Sequence, residues 1–130
     1  MSKLERIKRL LEDNVNFRET TKHLYYPKTN RELKKLIYNL INKYGNNVDL
    51  NIINVYEIDD FSRIFMDYHS FNGDVSEWDV YNGKDFSGVF QNCYKFNCDL
   101  SEWNVSDGRS FGDMFNSCKN FNSDLSKWSV

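Results

Sequence analysis

Four aspartates stand in one column of this sequence, Asp49, Asp74, Asp99 and Asp124, each 25 residues from the next. Stacked carboxylates could hold calcium, which takes about six to eight oxygen ligands. Calcium-binding repeat arrays use glycine-rich loops of about nine residues, and none is present here. The expectation for the column is therefore local: each side chain accepts a hydrogen bond from a turn amide ahead of a strand. The asparagines Asn72, Asn97 and Asn122 form a second column. Their amides are expected to bond to one another and to backbone at an inner corner. Cys93, Cys98, Cys118 and His69 are the remaining candidate ligands, but their spacing matches no paired C-x-x-C zinc arrangement. Cys93 and Cys118 are equivalent positions on what reads as a helix face, so buried thiols are expected there. A Cys93–Cys118 disulfide across neighbouring coils is the alternative in an oxidising compartment. No metal or other cofactor is expected. No Ser/His/Asp set and no glycine-rich phosphate loop occurs, so the chain reads as a non-enzyme.

Trp78, Trp103 and Trp128 could form a stacking platform for sugar or nucleic acid. Their place in the pattern is that of inward strand residues, so they are assigned to the core. Nucleic acid is excluded as a partner on charge: residues 49–130 carry six Lys/Arg against fourteen Asp/Glu, a field that repels phosphate.

These residues are positioned by a repeat. DVSEWDVYNGKDFSGVFQNCYKFNC is followed by DLSEWNVSDGRSFGDMFNSCKNFNS and then DLSKWSV, and a more diverged copy runs from Asp49 to Gly73. A fixed period of this length marks an array in which each unit buries its apolar face against its neighbours. Apolar residues recur at Leu50, Ile53 and Val55, and at the matching places in later units; the last two of each set alternate as in a strand. Phe61, Ile64, Phe65 and Tyr68, with Phe86, Val89, Phe90, Cys93 and Phe111, Met114, Phe115, Cys118, have spacings that predict two turns of helix. The fold expected is an α/β solenoid of 25-residue strand-turn-helix units: three repeats (49–73, 74–98, 99–123) and a terminal strand (124–130). Residues 1–48 form an N-terminal helical cap region. Within it, Leu4, Ile7, Leu10 and Leu11 stripe a short basic helix over 2–13, and residues 14–26 read as irregular. The clearest helix follows Pro27, with Thr29 as N-cap, Glu32 completing a capping box and Gly45 ending it.

The chain has 130 residues, 40% hydrophobic and 16% aromatic, too apolar for disorder. No run approaches the roughly 18 apolar residues of a membrane span. The charged start MSKLERIKRLL has no secretory core and three cysteines cannot all pair, so a cytoplasmic location is expected. Eleven Lys/Arg against five Asp/Glu in residues 1–48 make a basic head on an acidic body.

The offsets L-x-x-L-x-L resemble the strand segment of leucine-rich repeats, with periods of roughly 20–29 residues. Val89-Phe90-x-x-Cys93-x-x-Phe96 and Met114-Phe115-x-x-Cys118-x-x-Phe121 resemble the BspA-type leucine-rich repeat. The tryptophan-bearing 25-residue version is similar to the repeat first noted in mycoplasma surface lipoproteins, and Pro27-Lys-Thr-Asn-Arg-Glu-Leu resembles the segment that often precedes such arrays. The resemblance covers roughly residues 25–130. It implies a repeat scaffold for interaction, often at a bacterial surface and in adhesion, so the cell surface is the alternative location. The chain departs from the family pattern in having no signal or lipid-attachment cysteine near its start and no capping helix after Val130. Gly83 and Gly108 also stand where valine is usual, and glycine there is expected to loosen the turn.

The function expected is thus protein–protein interaction through the exposed face of short parallel strands. That face comprises Ser76, Glu77, Asp79, Ser101, Glu102, Asn104, Ser126, Lys127 and Ser129. It is acidic and hydroxylic, so the unknown protein partner should be basic or hydrogen-bonding. The alternatives are head-to-tail self-assembly through the open C-terminal end, or a remnant of a longer array.

Overall fold

The helix after Pro27 forms as its caps dictate. In a computed structural model, which describes residues 23–130, α1 spans Asn30–Tyr44. The Glu32 amide donates to Thr29 Oγ1 at 3.1 Å, and the Glu32 carboxylate accepts the Lys28 amide at 2.8 Å. Gly45 closes the helix with positive φ and donates its N–H to the Ile41 carbonyl. Leu33, Ile37, Leu40 and Ile41 are buried in one continuous core with Leu50, Phe61, Phe90 and Trp103. The short basic helix expected over 2–13 lies outside the described residues, as do residues 14–22.

The α/β solenoid of strand-turn-helix units does not form. Among the described residues α1 is the one helix, and strand structure amounts to isolated parallel bridges, Tyr25–Ile53, Asp49–Asp74, Asp60–Asp85 and Asp85–Ser110. What the chain builds is a succession of tight turns, each closed by an N–H donating to the carbonyl three residues back. They join Ile53 to Leu50, Ile58 to Val55, Ile64 to Phe61, Tyr68 to Phe65 and Phe71 to Tyr68, and all but the Phe61–Ile64 turn recur 25 residues later. Apolar residues occupy the two ends of each turn, where they face inward. Trp78, Trp103 and Trp128 likewise donate their amides to Val75, Leu100 and Leu125, so the segments expected as strands are turns as well.

Left-handed residues explain why Phe61–Tyr68 and its copies are not helical. Arg63, Gly88 and Asp113 have φ of 57, 62 and 57°, and Asp67, Asn92 and Ser117 have φ of 67, 62 and 63°. An α-helix needs every residue right-handed, so a left-handed one at every fourth position breaks its hydrogen-bond ladder. Between those closures the remaining amides leave the turn and cross to the next period. Phe61, Arg63, Phe65 and Asp67 donate to the carbonyls of Asp85, Ser87, Val89 and Gln91 at 2.9–3.0 Å. Phe86, Gly88, Phe90 and Asn92 donate to Ser110, Gly112, Met114 and Asn116 at 2.8–2.9 Å. All eight bonds run from the earlier period to the later one. The exchange reverses only at the bridges, where Lys84 donates to Asp59 and Arg109 to Lys84 at 2.7 Å; past Phe61 and Phe86 the ladder runs one way, where a parallel sheet would exchange bonds in both directions.

Side chains stack in the same 25-residue register. Phe61, Phe86 and Phe111 form a column with centroids 5.4 Å apart. Phe65, Phe90 and Phe115 form another at 5.4 and 5.8 Å, and Phe71, Phe96 and Phe121 a third at 5.8 and 5.9 Å. Gly83 and Gly108 serve the first column. A Cβ on Gly83 would lie 2.4 Å from the Phe86 ring, and one on Gly108 the same distance from Phe111. Glycine therefore does not loosen the turn; the space of the usual valine is filled by a phenylalanine edge.

The start of the stack is closed. Leu24 donates to the Ile52 carbonyl and Asn54 to the Tyr25 carbonyl, so His23–Pro27 is not simply irregular but lies bonded along the first period. Asn72 and Asp74 donate to Asn46 and Val48. The carbonyls of Asp60 and Ser62 both accept from the side-chain amide of Asn30 at 3.0 Å. These carbonyls correspond to Asp85 and Ser87, which accept backbone amides in the next period. Asn30 thus substitutes two side-chain hydrogens for two missing backbone donors. Asn30→Ala should lower stability by about 1–3 kcal/mol, and Asn30→Asp at least as much because a carboxylate would face two carbonyls. Urea unfolding checks this; an unchanged midpoint would show that the bonds contribute nothing.

Candidate functional site

The aspartate column is built into the turns. Asp49, Asp74, Asp99 and Asp124 each accept the amide two residues on, from Asn51, Ser76, Ser101 and Ser126, at 2.9 Å. Asp60 and Asp85 do the same with Ser62 and Ser87. At Asp85, Asp99 and Asp124 these bonds favour the ionised acid. The Ser101 amide, then its hydroxyl, holds Asp99 below the usual carboxylate range, and the Ser126 amide leads the same effect at Asp124. At Asp85 the Ser87 hydroxyl is the larger cause. Among the described residues no group of three or more His, Cys, Asp or Glu is arranged to hold a metal ion.

The asparagine column also bonds across periods: Asn97 donates its amide to Asn72 Oδ1 and Asn122 to Asn97 Oδ1, both at 2.9 Å. All three residues are exposed, so this is an outer corner rather than the inner one expected. The tryptophans are core at Trp78 and Trp103, which are 4% and 2% exposed. Their indole N–H groups reach back one period, from Trp78 to Leu50 O, Trp103 to Val75 O and Trp128 to Leu100 O, at 2.8–2.9 Å.

The three thiols are free. Cys93 donates to the Phe65 carbonyl at 3.0 Å and Cys118 to the Phe90 carbonyl at 2.8 Å, so each thiol is directed at backbone and the weighed Cys93–Cys118 disulfide is not formed. Burial pushes the Cys93 thiol up to about 12 and Cys98 up to about 11, and raises Cys118 too. Reactivity needs the thiolate. Cys93 should therefore resist alkylation at pH 8 until the chain unfolds, a pattern that mass spectrometry of labelled native and denatured protein reads directly. Rapid native labelling of Cys93 would place it at the surface.

Of the nine residues assigned to the interaction face, five gather. Ser76, Glu77, Asp79, Glu102 and Asn104 line one open depression together with Trp78 and Asp99. Ser101 and Lys127 line a neighbouring depression with Cys98 and Asp124. Ser126 and Ser129 are exposed and line neither. The face is not a row of strand side chains. Ser76 is half-buried with its hydroxyl on Asp74 at 2.7 Å, Asp79 accepts the Tyr81 amide and Asn104 accepts the Ser106 amide and hydroxyl. Glu102 pairs with Lys127 at 3.1 Å, both on the surface. Glu77 is exposed, and its backbone N–H donates to Asn51 Oδ1 at 2.9 Å.

Three tyrosines complete the face, and sequence reasoning passed over them. Tyr26, Tyr56 and Tyr81 are 63%, 48% and 48% exposed. Tyr56 lines a depression with His23, Asn54, Glu77 and Asp79, and another with Tyr26, Lys28 and Glu57. The Asn82 side-chain amide ties the two periods here by donating to the Tyr56 carbonyl at 2.7 Å. The available signal was positional: Tyr56 and Tyr81 are 25 residues apart, just after the last inward valine of their units.

These elements define a repeat protein built of stacked turns, with its chemistry on shallow outer corners. The chain belongs to a family of Mycoplasma proteins of unknown function, DUF285, which matches residues 32–130. No curated protein and no solved structure matches the chain. No helix among the described residues is long and apolar enough to cross a membrane.

Proposed function

We propose that the chain is a non-enzymatic interaction scaffold that binds a basic polypeptide segment across the corner bearing Tyr56, Glu77, Asp79 and Tyr81. The observation that carries this reading is the depression shared by Tyr56, Glu77 and Asp79, flanked by a second one bearing Tyr26 and Glu57. Exposed tyrosine offers a large contact area at small entropic cost, and the ring face attracts cations. The surrounding carboxylates add attraction that steers a basic partner toward this corner. The resemblance of Val89–Phe96 and Met114–Phe121 to BspA-type repeats supports the same use of a repeat surface, including an adhesion-type role. An NMR titration with lysine- and arginine-rich peptides tests the proposal. Shifts should concentrate at Tyr56, Glu77, Asp79 and Tyr81 and be lost in Tyr56→Ser/Glu77→Lys. Shifts elsewhere, or undiminished in the variant, would reject this corner.

A further inference from the structure

α1 has two sides of opposite character. Leu33, Ile37, Leu40 and Ile41 bury one side in the core. At about 3.6 residues per turn, Arg31, Lys34, Lys35 and Tyr38 fall together on the other. All four are exposed, Tyr38 by 56%. Arg31, Lys34 and Lys35 pair with no carboxylate among the described residues, although residues 49–130 carry fourteen Asp/Glu against six Lys/Arg. The one acid of α1, Glu32, is engaged at the helix start, where it accepts the Lys28 amide.

The complementary surface stands on the same chain. Tyr56 lies between two depressions, one with Tyr26, Lys28 and Glu57, the other with Glu77 and Asp79, where the negative charge is concentrated. No residue of α1 lines either, so one chain offers its basic helix side and its acidic corner together. α1 cannot turn that side to its own corner without withdrawing Leu33 and Ile37 from the core. Spacing also agrees. Arg31 and Lys35 lie about 6 Å apart along the helix axis, and the phenylalanine columns set successive periods 5.4–5.9 Å apart. A helix laid along the stack therefore brings one cation to each of two periods, those carrying Tyr56 and Tyr81.

We propose that α1 of one copy docks its Arg31, Lys34, Lys35 and Tyr38 side on the tyrosine corner of a second copy. This rests on the reading of that corner as a site for a basic polypeptide, and it names the segment. The cations meet exposed ring faces and carboxylates, both of which attract them. The contact joins two different surfaces, so a docked pair keeps one helix side and one corner unused, and further copies add in a row.

Light scattering on the whole chain under reducing conditions tests this. At about 0.01 M salt the mass should rise with concentration above the 15.5 kDa of one chain. It should return to that value at about 1 M, where the screening length falls from about 30 Å to about 3 Å. Lys34→Glu/Lys35→Glu and Glu57→Lys/Glu77→Lys should each weaken association at least about tenfold. Mixed at low salt, the two variants should form pairs and stop there, since each supplies the surface the other lacks; pairing also shows that both are folded. A wild-type chain that stays at 15.5 kDa throughout, a variant that associates like wild type, or a mixture that does not pair would overturn the proposal. So would a monomeric chain whose Lys34 and Lys35 are needed to bind phosphatidylserine vesicles. Lysine-rich peptide that still shifts Tyr56 and Tyr81 in the Lys34→Glu/Lys35→Glu variant, beside a monomeric wild type, would leave the corner standing and remove only the second copy.

Discussion

Replacing Trp103 with alanine is expected to destabilise the chain by about 3–5 kcal/mol, a large share of the roughly 5–15 kcal/mol by which a domain is stable. Trp103 is 2% exposed, stacks on Trp78 at 6.2 Å and lies against Phe90 at 5.9 Å. Its removal would open a cavity between two periods that neither neighbour can fill without leaving its own column. The indole also donates to the Val75 carbonyl at 2.8 Å. Trp103→Phe isolates that bond, and because Val75 O still accepts the Trp78 amide, the cost should be nearer 1–2 kcal/mol. Trp128→Ala should cost less than Trp103→Ala, since Trp128 is half-buried. Calorimetric melting ranks the three variants without depending on tryptophan fluorescence. Equal losses at Trp103 and Trp128 would contradict a stack whose burial fades toward its open edge.

Phe90→Ala should be as damaging, about 3–5 kcal/mol. Its ring is fully buried and touches Phe96 at 4.1 Å, Phe65 at 5.4 Å, Phe115 at 5.8 Å and Trp103 at 5.9 Å. It belongs to one column and braces two others, so truncation removes contacts in three directions. Phe121→Ala provides the comparison. That ring has stacking partners in Phe96 and Phe115 but is half-buried, and it should cost clearly less. Urea midpoints decide; a Phe90 variant as stable as the Phe121 variant would mean the columns do not share load.

The period, the helix after Pro27 and the inward residues were legible because each has a local cause. Thr29, Glu32 and Gly45 specify the ends of α1, and the 25-residue recurrence of tryptophan and phenylalanine specifies the stacking. The secondary structure of the repeats was not legible from spacing. Phe61, Ile64, Phe65 and Tyr68 fall at intervals of three, one and three. A helix face gives those intervals, and so do consecutive turns closed three residues apart. The discriminating residues were the polar ones between. Asp85 and Ser87 form a local side-chain bond that competes with helix, and Gly88 and Asn92 are types that accept left-handed φ. Trp78 and Val80 alternate as in a strand, yet the Val75 carbonyl that a strand partner would use is taken by the Trp78 amide and the Trp103 indole. The repeat brings Glu77, Asp79 and Glu102 to one depression while Ser101, Ser126 and Ser129 lie outside it, and the engagement of these side chains in turn bonds depends on backbone curvature that no residue spacing encodes. Tyr56 and Tyr81 escaped because attention to inward positions discounts the residues just beyond them.

Native-state hydrogen exchange of the free chain, resolved by residue, tests the one-way ladder of turns most directly. Arg63, Phe65, Asp67, Gly88, Phe90 and Asn92 should exchange slowly, while Phe111, Asp113, Phe115 and Ser117, at equivalent positions, should exchange fast. Uniform protection of every amide from Phe61 to Tyr68 and from Phe86 to Cys93, together with slow exchange through Phe111–Cys118, would indicate helices and contradict the turn-built stack.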